Sequence, residues 1–286
     1  MAVFEQKYKP YTDELTSSWS RFLVLPRYAY QEIFQSRIFL ALFVSCFVYP
    51  LACMLIVYLH HNATALAMLQ LPINKVIPID LDFFYYFVVV QSTFGFFVTM
   101  FIGPTLVAQD VSNNGLALYL CRPFSRSEYI LGKMSTLLIL LSLITWLPGL
   151  LLFFLQSYLE GMAWLVDNFR IAFAILLGSG IWILLLAMMA LAISAWVKWR
   201  VAAMGILLGI FFVPNAIAAI IKGIFQTQWG YIISTRSLMR TVLADLFNHS
   251  TRIEVPVWSA WTALLVICVV CLLLLFSKIK AYEVIS

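Results

Sequence analysis

Charge is absent from residues 38–74, 83–109, 134–159, 171–197, 201–221 and 255–277, and short polar connections separate these runs. A helix needs about 20 apolar residues to cross the hydrocarbon core of a bilayer. Each run therefore predicts a spanning helix, near residues 39–59, 84–107, 134–155, 171–197, 201–221 and 256–276. Ahead of the first, Leu23, Leu25, Tyr30, Ile33 and Phe34 are interleaved with Arg27, Gln31, Glu32 and Gln35. That pattern predicts a helix over 22–37 lying flat on the membrane surface and entered through Pro26. Between the fifth and sixth runs, Leu238, Val242 and Leu246 recur every fourth residue, with Arg236 and Arg240 offset from them. This spacing predicts an amphipathic helix dipping into the outer interface, after a re-entrant turn around residues 226–231.

Composition narrows the class. The 286 residues are 63% hydrophobic and 11% charged, whereas a globular protein carries about 25% charged residues. A secreted or cytosolic enzyme, a disordered chain and a nucleic-acid-binding module are all excluded, leaving an all-α polytopic membrane protein. The mixed, charged stretch 1–37 has no apolar core of its own, so no cleaved leader is expected. The net charge of +5 is informative through its placement. With the N-terminus inside, Lys7, Lys9, Arg21, Arg27, Arg37, Arg122, Arg126, Lys133, Lys198, Arg200, Lys278 and Lys280 are cytoplasmic. Lys75, Arg170, Lys222, Arg236, Arg240 and Arg252 then lie outside. Positive charge favours the cytoplasmic side, so six helices with both termini inside are expected. Lys198, Trp199 and Arg200 alone join spans four and five, which predicts a tight hairpin. The organisation is a tail and interfacial helix over 1–38 and a six-helix domain over 39–286, with a cytoplasmic coupling loop at 108–133 and an outer loop at 222–256.

None of the six predicted spans contains an internal Asp, Glu, Lys, Arg or His. Carriers driven by ion gradients place ionisable groups or broken helices at membrane depth, and no internal repeat is visible. The chain also lacks a Gly-x-x-x-x-Gly-Lys-Ser/Thr loop, because Gly132-Lys133 is followed by Met134. An energy source, if it is a nucleotide, belongs to another polypeptide.

The segment 108–134 reads AQDVSNNGLALYLCRPFSRSEYILGKM. Asp110 and Ser112 suit the cap of a short helix with apolar contacts from Leu116, Leu118 and Leu120, ended by Pro123. Ser125 suits the cap of a second helix carrying Arg126, Glu128 and Lys133 into span three. The order Asp110, Gly115, Leu118–Leu120, Pro123, Ser125-Arg126, Gly132-Lys133 resembles the ABC-2 exporter permeases, the membrane subunits of ATP-binding-cassette exporters. Tyr30 to Arg37 and the count of six helices extend the resemblance. Asp110 stands where that family commonly has Glu, and Leu116 where Thr is usual. The resemblance implies a hairpin that docks on a separate ATPase, with two permeases and two ATPases forming the unit. It assigns Asp110, Asn114, Gly115, Arg122, Pro123 and Arg126 to coupling, with ATP and Mg held by the partner and no cofactor or nucleic acid bound here. It also implies a homodimer in a bacterial cytoplasmic membrane and export; Phe83, Phe84, Phe94, Phe96, Phe97 and Phe101 suit a hydrophobic or amphipathic cargo, or equally plain lipid contact. Lys133 is expected to anchor its helix end among headgroups.

Other constellations have competing readings. Gly205 and Gly209 form a small-xxx-small pattern that lets helices approach closely, as at a dimer interface or by chance. Gln91, Ser92, Thr93 and Asn215 are uncharged polar groups at membrane depth, suited to a substrate path or to gluing helices together. Cys268 and Cys271, like Cys46 and Cys53, sit in apolar runs where thiols act as small hydrophobes. His60, His61, Asp80 and Asp82 share the first outer loop, so an outer-face metal-dependent transferase is one rival reading. A membrane scaffold or assembly subunit of an envelope complex is the other.

Overall fold

In the computed structural model the described residues are 24–62, 78–112, 126–249 and 255–278, and among them every regular element is a helix. Helix α1 spans Val24–Ile33. Span one is α2 (Arg37–Ser45) followed by α3 (Val48–His61). Span two is α4, Leu81–Ser112. Span three joins α5 (Arg126–Ile144) to α6 (Trp146–Glu160), and the short α7 (Met162–Asp167) follows. Spans four and five are α8 (Phe169–Trp196) and α9 (Arg200–Phe225). A 3₁₀ turn over Trp229–Ile233 leads to α10 (Thr235–Leu246), and α11 (Val257–Lys278) is span six. All six spans are long and apolar enough to cross a membrane.

Spans two and three overrun their charge-free limits, reaching Ser112 and starting at Arg126. Backbone hydrogen bonds continue into the headgroup zone, where polar side chains are tolerated. Asp110 consequently sits in the last turn of α4 and does not cap a new helix. The expected surface helix over 22–37 is shorter too. It stops at Ile33, and Ser36 instead caps span one, accepting from the Phe39 amide at 3.4 Å. Helix α1 packs against α5, where the Tyr30 hydroxyl donates to the Thr136 carbonyl at 2.9 Å. Burial pushes this phenol up to about 12, so it stays a protonated donor across the physiological range.

Burial divides the bundle unevenly. Spans two, three and four are 61%, 50% and 67% buried over their apolar stretches, against 22%, 17% and 28% for spans one, five and six. The core is therefore the central trio. Along the seam of spans two and four, the Trp182 indole donates to the Ser92 carbonyl at 2.9 Å. One hydroxyl, Ser194, accepts from the Val107 and Ala108 amides at 3.1 and 2.9 Å and donates to the Pro104 carbonyl at 3.0 Å. It thereby re-satisfies backbone groups beside a proline inside α4. Between these contacts Gly103 lets the helices touch, since a Cβ there would lie 2.5 Å from the Ala190 Cβ. Gly103→Val is expected to cost about 1–3 kcal/mol through overpacking. The matched control Gly180→Val, where a Cβ meets nothing within 4 Å, should leave the thermal midpoint in detergent unchanged.

Spans one and three are each interrupted once. A proline has no N–H to give the carbonyl four residues back. Pro50 thus orphans the Cys46 carbonyl, and Pro148 orphans that of Ile144. The Gln91 side chain answers both, its Nε2 donating to Cys46 O at 2.9 Å and Ile144 O at 2.6 Å. Gln91 is 1% exposed.

Helix α10 departs from expectation. Its apolar stripe, Leu238 and Val242, is buried as anticipated, but so are Thr235, Ser237, Met239, Thr241 and Leu243. A helix covered on nearly all faces is an interior element rather than an interfacial one. After α9 the chain turns at Gln226, with φ of 52°, and packs Gly230 back against Ile221 and Ala218. It then re-enters the bundle at Ser234, whose hydroxyl caps α10 by accepting from the Ser237 amide. The Ser237 hydroxyl donates to Asn215 Oδ1 at 2.9 Å, so the tip of the insertion meets the middle of span five. At its other end Arg170 reaches the Asp245 and Leu246 carbonyls at 3.3 Å. Gly178 gives α10 its seat, because a Cβ there would fall 2.5 Å from Leu243 Cδ2.

Candidate functional site

Two places concentrate polar groups. The first is the end of the bundle where α1 lies. In the last turn of α4, Asp110 Oδ2 accepts a 2.6 Å hydrogen bond from the Tyr129 hydroxyl and stands 2.8 Å from Lys133 Nζ. Tyr129 and Lys133 are one helical turn apart on α5, so both reach the same carboxylate. Tyr129 is fully buried and Lys133 is 9% exposed. Lys133 therefore does not anchor the helix at headgroups as expected. A buried ammonium needs a counter-charge, and Asp110 supplies it. This latch closes the base of segment 113–125, tying the helix that enters it to the helix that leaves it. Arg126 stands exposed beside the latch, whereas Asn114, Gly115, Arg122 and Pro123 lie outside the described residues, as do Ser125 and Cys121.

The second place is a narrow cleft among spans two, four and five and helix α10. Ser92, Thr93, Trp182, Phe211, Arg236 and Arg240 are among the residues lining it. Helix register sets its height. Ser92 is residue 12 of 32 in α4, Trp182 residue 14 of 28 in α8 and Phe211 residue 12 of 26 in α9. At 1.5 Å rise per residue these positions fall near mid-span. Phe211 stacks on Phe96 with centroids 3.8 Å apart, and the Arg236 guanidinium lies 5.7 Å over the Phe211 ring.

Of the four residues expected along a substrate path, Ser92 and Thr93 line this cleft. Asn215 holds the tip of α10, and Gln91 is committed to the two orphaned carbonyls. Scanning the spans missed Arg236 and Arg240 as membrane-depth charges because they arrive on an inserted loop. Their four-residue spacing was the available signal, as was that of Tyr129 and Lys133.

At the opposite end of the bundle two histidines pair with carboxylates. His61 Nε2 lies 3.1 Å from Glu160 and His249 Nδ1 2.6 Å from Asp82, with His249 stacked on Tyr85 at 4.2 Å. Asp80 caps α4 by accepting from the Phe83 amide. His61, Asp80 and Asp82 thus have separate partners. Among the described residues no three His, Cys, Asp or Glu side chains gather as metal ligands. A Cβ on Gly205 or Gly209 would meet nothing within 4 Å, so that face of span five is open.

A family model described as ABC-2 family transporter protein matches residues 30–279. No curated protein matches the chain. The match begins within the last turn of α1 and takes in all six spans and the latch, and the chain belongs to the ABC-2 transporter family. It is a multi-pass integral membrane protein, a permease subunit of an ABC transporter, and members of this family generally work with an ATP-binding subunit.

Proposed function

We propose that this ABC-2 permease is an exporter subunit, working as a pair of identical chains with two copies of a separate ATPase in a bacterial cytoplasmic membrane. The observation that carries the reading is the Asp110–Tyr129–Lys133 latch, within the family match. A loop that is to transmit force needs its two ends fixed to each other, and the latch joins α4 to α5 at the base of 113–125. In this reading the α1 end is cytoplasmic, in agreement with the excess of basic residues assigned to it. Arg126 and the segment bearing Asn114, Gly115, Arg122 and Pro123 form the surface offered to the ATPase. The open face at Gly205 and Gly209 receives the second copy, since small residues let helices close on each other in lipid. ATP and Mg belong to the partner, and this chain makes and breaks no bond. The cargo is hydrophobic or amphipathic, and Ser92 and Thr93 lie beside its route.

The test is co-expression with an ATPase gene lying beside this one. The ATPase is expected to co-purify, and Arg126→Glu should weaken that association by about tenfold or more, because a charge reversal at an interface is costly. Transport by the purified chain alone, or ATPase bound at the opposite face, overturns the reading.

A further inference from the structure

We infer that the mid-span cleft binds the acidic head of an anionic amphiphile, with Arg236 and Arg240 as its counter-charges. The inference rests on the export reading and names the chemistry of the cargo. Three observations carry it. Arg236 and Arg240 are partly buried near mid-height of the bundle, with no carboxylate within ion-pair distance among the described residues. A guanidinium at that depth costs about 2.5–3.5 kcal/mol or more on insertion, so an unpaired pair of them calls for an anion. In the same cleft the Ser92 hydroxyl, on a residue 6% exposed, is buried with no hydrogen-bond partner among the described residues. An acidic oxygen accepts from both a guanidinium and a hydroxyl, which matches the donors that line the cleft.

The third observation concerns the remainder of the ligand. An apolar groove of about 480 Å³ runs between spans four, five and six, lined by Ile193, Trp196, Ile206, Ile210, Cys271 and Leu274. Its volume is that of a small-molecule site, about 300–1,000 Å³. Ile210 and Thr235 face this groove, and their chain neighbours Phe211 and Arg236 face the cleft. The two spaces therefore flank the same turns of α9 and α10. Apolar chain and acidic head have adjoining places, whereas a free inorganic anion would have no use for the groove. The cleft itself holds about 20 Å³, room for roughly one water-sized group. A single phosphoryl or carboxylate oxygen fits, with the bulk of the head outside beside the partly buried arginines.

The experiment uses the full chain in neutral maltoside micelles, titrated with dioleoylphosphatidylglycerol, dioleoylphosphatidylcholine or inorganic phosphate, with bound lipid read by native mass spectrometry. Phosphatidylglycerol is expected to bind in preference to phosphatidylcholine, and inorganic phosphate should not compete with it. Arg236→Gln/Arg240→Gln should weaken phosphatidylglycerol about tenfold or more, since hydrogen bonds to charged groups are strong. Arg236→Lys/Arg240→Lys should restore part of the preference, and Ile206→Trp, filling the groove, should weaken both lipids. Equal binding of the two lipids by the unaltered chain overturns the inference, and this arm stands even if the double variant fails to fold. Retention of the preference by the Gln variant, or full competition by inorganic phosphate, also overturns it. If the ATPase co-purifies while lipid discrimination is absent, only the cargo chemistry fails. Without co-purification, the export reading itself falls.

Discussion

Gln91→Leu is expected to destabilise the protein by about 2–6 kcal/mol, since each of two buried carbonyls would lose its donor at about 1–3 kcal/mol apiece. The change is nearly isosteric and apolar, which lipid-embedded positions ordinarily accept. Its effect isolates the two hydrogen bonds to Cys46 and Ile144. The diagnostic variant is the triple change that adds Pro50→Ala and Pro148→Ala. Alanine restores an N–H to each position, and that N–H serves the same carbonyl that Gln91 served. The triple variant should recover most of the lost stability, measured as the thermal midpoint in detergent. If Gln91→Leu is neutral, or the alanines do not rescue it, the account of the two interruptions is wrong.

Asp110→Ala is expected to abolish ATP-driven transport and to cost about 3–5 kcal/mol, the usual penalty for stranding one partner of a buried ion pair. Lys133 is 9% exposed and Tyr129 is fully buried, so both would lose their acceptor in a confined space. Asp110→Glu retains the negative charge, and should keep most activity. Lys133→Met with Asp110→Ala removes both charges. That pair should regain stability without regaining transport, because the fastening between α4 and α5 stays absent. Substrate-stimulated ATPase activity of the reconstituted complex, read beside the thermal midpoint, separates the two effects. Full transport by the charge-free pair would sink the latch as a transmitting element.

The fold was legible wherever it depends on apolar length, because a spanning helix is a one-dimensional signal. All six spans were found that way, and the three-residue connection at Lys198–Arg200 was bound to give a hairpin. Their ends were misjudged at Asp110 and Arg126, since charge marks the edge of the hydrocarbon while backbone hydrogen bonds decide where a helix stops. The interior position of α10 was hidden for a different reason. Its sequence alternates Ser237, Thr241 and two arginines with apolar residues, which reads as a surface pattern. Asn215 accepts from Ser237 and the Phe211 ring lies under Arg236, and both come from span five. The double duty of Gln91 was likewise invisible, because Pro50 and Pro148 lie 41 and 57 residues away on either side and only the folded bundle brings them to one amide. The pair Tyr129 and Lys133 was readable as a face of α5, but its target was not.

The interruptions at Cys46 and Ile144 also make the bundle compliant at one chosen storey. In a stretch without proline a spanning helix can bend only by stretching an i to i−4 bond. Opposite Gln91 two helices each lack one such bond, and a side-chain amide follows small changes of angle by turning its own torsions. The halves above and below that landing can tilt against each other at less energetic cost than in an unbroken stretch of helix.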